Sequence, residues 1–273
     1  GEAVLVGHGV VLGAGQEREF SATIRVPGGI IGRYRYQIEV NSRGDVFEGV
    51  HRGNNLGLAE APVDLDLPEL VLGGPAHSGQ FVAGGSPSYW YRTACPTGVD
   101  AMVTLGRTAV NGGVELYAAT NRIPSQFDYD LRELPEDTGT ATLRALLPAD
   151  PAAPRQWYVT AYCRALATGS LQAFEVSARG LDLSIMSCSP SEGYNLGLTT
   201  FYLQGAALSA DLAYEVVAED GKSRATPTAV ETHGTTYAAV TFDLGGLPPG
   251  GAALSVERKG PGSRGPAKAT VIL

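Results

Sequence analysis

Alternation of apolar and polar residues is the clearest pattern in this chain, and it predicts β-strands. Between residues 33 and 40 every second residue is Tyr, Ile or Val, and the residues between them are Arg, Gln or Glu. Successive side chains of a strand point to opposite faces, so this order predicts a strand that is buried on one face only. The Asn-Ser-Arg-Gly-Asp run at 41–45 then predicts a turn, and a return strand is expected to begin at residue 46.

Short apolar runs separated by Gly, Pro, Asn and Asp continue this pattern to the end of the chain. Two runs, 140–147 and 161–167, also fit helix turns by periodicity, but their aromatic and β-branched flanks favour strands. The expected strands lie at 88–94, 101–105, 113–119, 140–146, 157–163, 171–178, 197–205, 212–217, 237–244, 252–257 and 267–273.

Composition agrees with an all-β chain of several domains. The 273 residues are more than one core usually holds, and 36 Gly and 17 Pro favour turns over helices. We therefore expect three tandem β-sandwich modules of immunoglobulin-like or jelly-roll-like type, the first of them incomplete. Their predicted bounds are 1–68, 69–181 and 182–273.

The middle of the chain carries the most specific motif. A strand at 113–119 runs into an Asn-Arg-Ile-Pro turn and then into Phe-Asp-Tyr-Asp at 127–130, and a second strand begins at Trp157. This arrangement resembles the pre-peptidase C-terminal (PPC) module, a small β-sandwich attached to secreted bacterial proteins. The resemblance implies an extracellular module that accompanies chemistry performed elsewhere.

Two weaker resemblances flank it. Gly-Arg-Tyr-Arg-Tyr from residue 32, Val-Phe-Glu at 46–48 and Gly-Asn-Asn at 53–55 resemble the second half of a CARDB module, an immunoglobulin-like domain of bacterial surface proteins. Such a half module implies that its missing strands come from upstream sequence or from another chain. The Ser-Cys-Ser-Pro-Ser-Glu-Gly lead at 187–193, followed by the run at 197–205, resembles the opening of an IPT/TIG immunoglobulin-like module.

Charge and hydropathy exclude several classes of partner. The net charge of −8 would repel a phosphate backbone, so nucleic acid is excluded. No apolar run approaches the roughly 18 residues of a transmembrane segment. The chain also starts without a signal peptide, so we expect a fragment of a larger bacterial protein that is secreted or held at the cell surface.

No local motif indicates catalysis. The four histidines show no metal-ligand spacing, and neither His-Glu-x-x-His nor Gly-x-Ser-x-Gly occurs. A Ser/His/Asp triad assembled only in space stays open. We expect no enzyme activity within this chain and no cofactor, with one exception for calcium.

That exception is an acidic segment. Its five carboxylates are close enough in sequence for a Ca²⁺ loop, although the EF-hand spacing is absent; a solvated acidic loop is the alternative. They are Asp128, Asp130, Glu133, Glu136 and Asp137.

Three further features are open to two interpretations each. Cys95 and Cys163 either form a disulfide, worth about 4 kcal/mol by loop entropy, or remain buried thiols; Cys188 is left over. Tyr89 and Tyr91 share one strand face and either contact a ligand or pack in a sandwich core. The Arg-Gly-Asp tripeptide at 43–45 is either a recognition motif or ordinary turn chemistry.

These observations predict a non-catalytic extracellular protein for adhesion, structure or assembly. Its partner is expected to be a protein or glycan surface ligand, or further copies of the chain joined into an oligomer or filament by strand sharing at the first module. The alternative is the C-terminal accessory region of a secreted hydrolase such as a protease. A protease or glycosidase motif in the upstream reading frame would favour the alternative, whereas further sandwiches there would favour the scaffold.

Overall fold

The computed structural model of this chain describes residues 5–10, 16–24, 26, 28–47, 49–107, 112–135, 142–166, 170–193, 195–258 and 267–272. These residues form β-strands, turns and one 3₁₀ helix, Gly49–Asn54, which confirms the all-β prediction. No helix in the described part is long and apolar enough to cross a membrane. The strands are β1 (Gly32–Tyr34), β2 (Gln37–Glu39), β3 (Leu56–Leu58), β4 (Val63–Leu65), β5 (His77–Val82), β6 (Ser88–Cys95), β7 (Ala101–Arg107), β8 (Gly112–Thr120), β9 (Leu131–Glu133), β10 (Thr142–Leu147), β11 (Arg155–Leu166), β12 (Leu171–Gly180), β13 (Ser184–Ser189), β14 (Leu198–Ala206), β15 (Ala213–Ala218), β16 (Arg224–Ala225), β17 (Pro227–His233), β18 (Tyr237–Asp243), β19 (Ala252–Arg258) and β20 (Ala267–Ile272).

The chain forms two compact units, residues 1–67 and residues 68–273. In the first unit, β1 pairs with β4 and β2 pairs with β3, both antiparallel. The prediction of a single half-buried strand at 33–40 is wrong in two respects. The segment forms two three-residue strands, β1 and β2. Its apolar residues are exposed, because no second sheet covers them within the described part of this unit.

The turn after that segment has the predicted position. Asn41 has a φ of +52° and Gly44 a φ of +69°, and the Gly44 N–H donates to the carbonyl of Asn41 at 2.9 Å. The side chain of Asn41 closes the turn with hydrogen bonds to both backbone groups of Val46. The return strand expected from residue 46 is absent from the described residues, where the 3₁₀ helix Gly49–Asn54 leads into β3 instead.

The second unit contains two sandwiches. In the first sandwich, a sheet of order β10-β7-β12-β5 faces a sheet of order β6-β11-β8-β9, and every neighbouring pair is antiparallel. The core between the sheets takes alternate residues from both of them, including Phe81, Leu116, Trp157 and Phe174. All six strands expected between residues 88 and 178 are present, with residues 140 and 141 outside the described part.

In the second sandwich, a sheet of order β13-β14-β18-β17 faces a sheet of order β16-β15-β19-β20. Phe201, Val240, Phe242 and Leu254 are fully buried between them. The expected strands of this region are also present. The assignment of the chain to three modules with the bounds given above stays a prediction.

Five described strands of the second unit were not expected: β5, β9, β13, β16 and β17. Each of them is an edge strand of its sheet, and β9 is only three residues long. Edge strands need not show clean alternation of apolar and polar residues. Gly79 in β5 has a packing reason: a Cβ there would lie 2.3 Å from Cζ of Phe174. The Phe174 ring fills the space beside the glycine, which is why this strand lacks an apolar side chain at its centre.

The two sandwiches of this unit share a small apolar contact and one buried carboxylate. Met102, Leu181 and Ala206 form the apolar contact. The carboxylate is that of Asp100, which is fully buried. It accepts hydrogen bonds from residues of both sandwiches, so it fixes how the two cores are joined.

Candidate binding surfaces

In the described part of the chain, the strands whose residues are all exposed are β1, β2 and β3 of the first unit. In the β2–β3 pair, Ile38 is 68% exposed, and Leu56 and Leu58 are 55% and 60% exposed. The register pairs Ile38 with Gly57 and pairs Leu56 and Leu58 with polar residues of β2, so the apolar side chains lie on both faces of the ribbon. We call β2 and β3 the apolar ribbon. No residue from 5 to 66 whose burial the structure describes is buried, so the ribbon is not part of a packed core within the described part of its own unit.

The Arg-Gly-Asp tripeptide lies in the turn that precedes this ribbon. Gly44 has the left-handed backbone that glycine adopts without strain, which accounts for this residue without a recognition role. Arg43 and Asp45 are exposed. A function of the tripeptide stays an untested prediction.

The acidic residues at 128 and 130 serve an arginine of their own loop. Arg122 donates from Nε to Asp128 Oδ1 at 2.8 Å and from its terminal nitrogen to Asp130 Oδ1 at 2.7 Å. The other oxygen of Asp130 accepts the backbone N–H and the hydroxyl of Thr120. Burial alone would raise the pKa of Asp130, but these hydrogen bonds and the Arg122 charge lower it. The three side chains therefore brace the β8–β9 loop.

This braced loop lies over the outer face of the β6-β11-β8-β9 sheet. The Thr160 hydroxyl of β11 donates to the carbonyl of Pro124 at 2.8 Å, and the ring of Tyr129 lies 5.3 Å from that of Tyr117. Burial raises the pKa of Tyr117 to about 12, and its hydrogen bond to Glu115 adds to the rise. At the tip of the loop, Phe127 is 87% exposed, so the brace presents one large apolar side chain to solvent.

The described part of the acidic segment does not form a metal site. Among the described residues no group of three or more His, Cys, Asp or Glu side chains has the arrangement to hold a metal ion. Asp128 and Asp130 are occupied by Arg122, and Glu133 lies on β9, where burial raises its pKa. Glu136 and Asp137 lie outside the described residues, so the calcium hypothesis for the whole segment stays open.

Tyr89 and Tyr91, for which a ligand contact and core packing were both open, face the core. Tyr91 is 4% exposed and packs edge-on against His77, and burial raises its pKa to about 12. Tyr89 packs against Phe81 and Phe174, and its hydroxyl donates to the carbonyl of Gln80 at 2.6 Å. These contacts favour the core-packing interpretation over the ligand contact. The two tyrosines do share a face, but it is the inner one.

Of the two interpretations of Cys95 and Cys163, the structure shows the buried thiols and not the disulfide. All three cysteines are free thiols, and burial raises the pKa of Cys95 to about 11. In the β6–β11 pair, Cys95 lies opposite Arg155, whereas Cys163 donates its N–H to Pro87 at the other end of β6. Eight positions along a strand correspond to about 27 Å, and a disulfide needs Cα atoms within about 7 Å.

A groove between the two sandwiches was not expected from the sequence. It has a volume of about 480 Å³. Its lining combines side chains from the outer face of the β10-β7-β12-β5 sheet with Glu133 of β9 and with side chains of β13 and β14. These residues are distant in the chain, so no local sequence signal brings them together. Asp100 was missed for the same reason.

Comparisons with known proteins do not show a family. No protein-family model and no curated protein matches the chain. It is similar at 12% identity to the pre-peptidase C-terminal domain of collagenase from Bacillus anthracis, over 42% of this chain and 95% of that domain, with a TM-score of 0.32. A DUF4785 family protein from Legionella pneumophila is 10% identical, over 73% of this chain and 63% of that chain, with a TM-score of 0.22.

The first of these neighbours is of the PPC type that the segment at 113–133 resembles. At TM-scores of 0.32 and 0.22, these two similarities establish neither a fold nor a function for this chain. The CARDB and IPT/TIG resemblances and the role as an accessory region of a secreted hydrolase stay predictions.

Proposed function

We propose that this chain is a non-catalytic extracellular assembly protein, and that its apolar ribbon adds to the sheet of a second copy. The exposure of Ile38, Leu56 and Leu58 on both faces of the β2–β3 pair carries this proposal. A two-stranded ribbon alone is only marginally stable in water, and further strands or a covering layer would stabilise it.

Strand addition supplies what the ribbon lacks. Each strand of a two-stranded sheet has one hydrogen-bonding edge that its partner does not use, and such edges pair readily with another chain. A second copy would also cover the apolar side chains on the two faces. Burial of such side chains is worth about 25 cal/mol per Å² of apolar surface removed from water.

The second unit supports this role as a rigid body. It has two buried cores, and Asp100 connects the loops of both sandwiches through a buried carboxylate. A firm joint between sandwiches suits a spacer in an assembly. The secreted or surface location belongs to the proposal and derives from the sequence resemblance alone.

Sedimentation velocity over a range of protein concentrations tests the proposal. We expect a monomer–oligomer equilibrium for the natural sequence and a monomer for Ile38→Lys and for Leu58→Lys. Both residues are more than half exposed, so these variants should keep the fold. Phe127→Lys is the matched control, because it changes an exposed apolar residue of the second unit. A monomer at every concentration, or equal loss of association in the control, would contradict the proposal.

A further inference from the structure

The groove between the two sandwiches has an apolar floor. Met102 of β7 is 5% exposed and Leu146 of β10 lies directly opposite it in the register. Met186 of β13 is 41% exposed and lines the other wall. It is the residue at the register shift between Ile185 and Ser187, a bulge that redirects a side chain out of the regular alternation. The bulge thus places an unbranched, adaptable side chain in the groove.

Two arginines line the same groove without a carboxylate partner among the described residues. Arg144 lies on β10 opposite Thr104, and Arg179 lies on β12 opposite Met102. By the spacing of strands and residues in a sheet, their Cα atoms are about 12 Å apart on one face. This distance is short enough for two long side chains to reach one bound group.

By contrast with Arg144 and Arg179, other arginines of this unit form ion pairs with carboxylates. They are Arg92, Arg122, Arg155, Arg164 and Arg224. The groove lining has two guanidinium groups that form no ion pair among the described residues, and one carboxyl group, that of Glu133. In a chain with a net charge of −8, this excess of positive charge above an apolar floor favours an anionic ligand that also has an apolar part.

We propose that this groove binds a short acidic peptide segment, with a carboxylate held between Arg144 and Arg179 and the neighbouring apolar side chain on Met102 and Met186. The groove volume of about 480 Å³ suits a few residues of such a segment. Gln204 and Glu133, which line the same groove, offer hydrogen-bonding groups for a peptide backbone.

A peptide fits this lining better than an acidic sugar. Sugar rings stack on aromatic side chains, and the groove lining has none, whereas methionine adapts to apolar side chains of different shapes. The site lies wholly within the second unit, so it goes beyond the self-association proposed above and does not depend on it.

Fluorescence anisotropy with two labelled peptides tests this site. The first probe is the peptide Gly-Ser-Leu-Glu-Leu-Glu-Ser-Gly, and the second has Gln in place of both Glu residues. We expect the acidic probe to bind and the neutral probe to bind at least tenfold more weakly, because charge-assisted hydrogen bonds to guanidinium are lost. Arg144→Gln and Arg179→Gln should each weaken the acidic probe about tenfold.

Arg224→Gln is the matched control, since Arg224 is exposed, lies in the other sheet pair and is bound to Glu215 at 2.8 Å. It should leave binding unchanged. Met186→Asp should abolish binding and keep the melting temperature, because Met186 is exposed at an edge strand. A second arm adds unlabelled chondroitin sulfate oligosaccharide as competitor.

Any of four results would overturn the proposal. The first three are equal binding of the two probes, undiminished binding by both arginine variants, and displacement by the oligosaccharide at lower concentration than by unlabelled acidic peptide. The last result would assign the groove to an acidic glycan. Absence of binding by the acidic probe up to millimolar concentration would also reject it.

Discussion

Asp100 accepts the backbone N–H of Ala207 through Oδ2 at 2.6 Å, although 107 positions separate the two residues. Its other oxygen accepts the N–H of Ala149 at 2.6 Å and the hydroxyl of Thr235. The Asp100 carbonyl accepts the N–H of Leu181 at 2.8 Å. One buried residue of the first sandwich therefore satisfies donors from two separate loops of the second. A buried carboxylate is stable only with such partners.

Replacing Asp100 should weaken this joint. Asp100→Ala leaves the N–H groups of Ala149 and Ala207 without an acceptor, so we expect the free energy of unfolding to fall by about 3 kcal/mol. Asp100→Asn keeps one acceptor oxygen but turns an amide toward a donor, and about 2 kcal/mol should be lost. Urea unfolding measures both losses.

Asp182→Asn is the control for this experiment, because Asp182 is exposed and lies close to the joint in the chain. Its effect should stay within about 0.5 kcal/mol. An equal loss in the control and in Asp100→Asn would show that the joint does not depend on the buried carboxylate.

Gly79 and Gly106 provide a matched pair for the packing of the first sandwich. A Cβ at Gly79 would lie 2.3 Å from the Phe174 ring, whereas the nearest atom to a Cβ at Gly106 is 4.0 Å away. Gly79→Ala should therefore cost about 2 kcal/mol, since the buried Phe174 has no room to move. Gly106→Ala should be neutral or stabilising by about 0.5 kcal/mol. Thermal unfolding of both variants checks this, and a stable Gly79→Ala chain would contradict the described contact.

The three thiols should differ in reactivity. Cys95 is fully buried with a pKa of about 11, Cys163 is 5% exposed, and Cys188 is half-buried with a pKa raised by burial. We expect a thiol reagent at pH 8 to modify Cys188 slowly in the native protein, and Cys95 and Cys163 only after unfolding.

Thiol counting under denaturing conditions also tests whether Cys95 and Cys163 are free thiols. Three thiols should be found with or without a reductant. Cys188→Ser should leave the native chain unmodified. If two thiols of the Cys188→Ser variant appeared only after reduction, Cys95 and Cys163 would form a disulfide and the described register of β6 and β11 would be wrong.

Acid should remove the stabilisation that the ion pairs of Arg122 with Asp128 and Asp130 give to the folded chain. The pKa of Asp130 lies below its ordinary value of 3.8 in the folded chain, so the unfolded chain takes up a proton first as the pH falls. The stabilisation is present above about pH 4 and is lost as the pH falls through the lowered pKa. The melting temperature of Arg122→Gln should therefore lie below that of the natural sequence at pH 7, and the difference should shrink at pH 3. A constant difference would exclude this linkage.

Calcium should have little effect on stability. Arg122 occupies Asp128 and Asp130, so a cation would have to displace an existing ion pair. We expect the same melting temperature, within about 1 °C, in EDTA and in excess Ca²⁺; a one kcal/mol gain would raise it by about 2–4 °C. A larger rise that is lost in Asp128→Asn would restore the calcium site, and Asp182→Asn is again the control.

The candidate surfaces were predictable only in part. Residues 41–45 were correctly predicted as a turn, and Tyr89 and Tyr91 were correctly placed on one face, because both features depend on neighbours in the chain. Which face is inside depends on the opposite sheet, and here it is the face that carries the tyrosines. The apolar residues of 33–40 illustrate the reverse case, since the same alternation left them exposed.

The sequence by itself determined where most strands of the second unit lie, because a period of two and turn residues are local properties. Only the tertiary structure decided the pairing of those strands, and with it three results. It put Cys95 and Cys163 at opposite ends of paired strands, it buried Asp100 between two sandwiches, and it brought Arg144 and Arg179 to one groove. The physical reason is that register and packing arise from residues far apart in the chain, whose encounter no local pattern specifies.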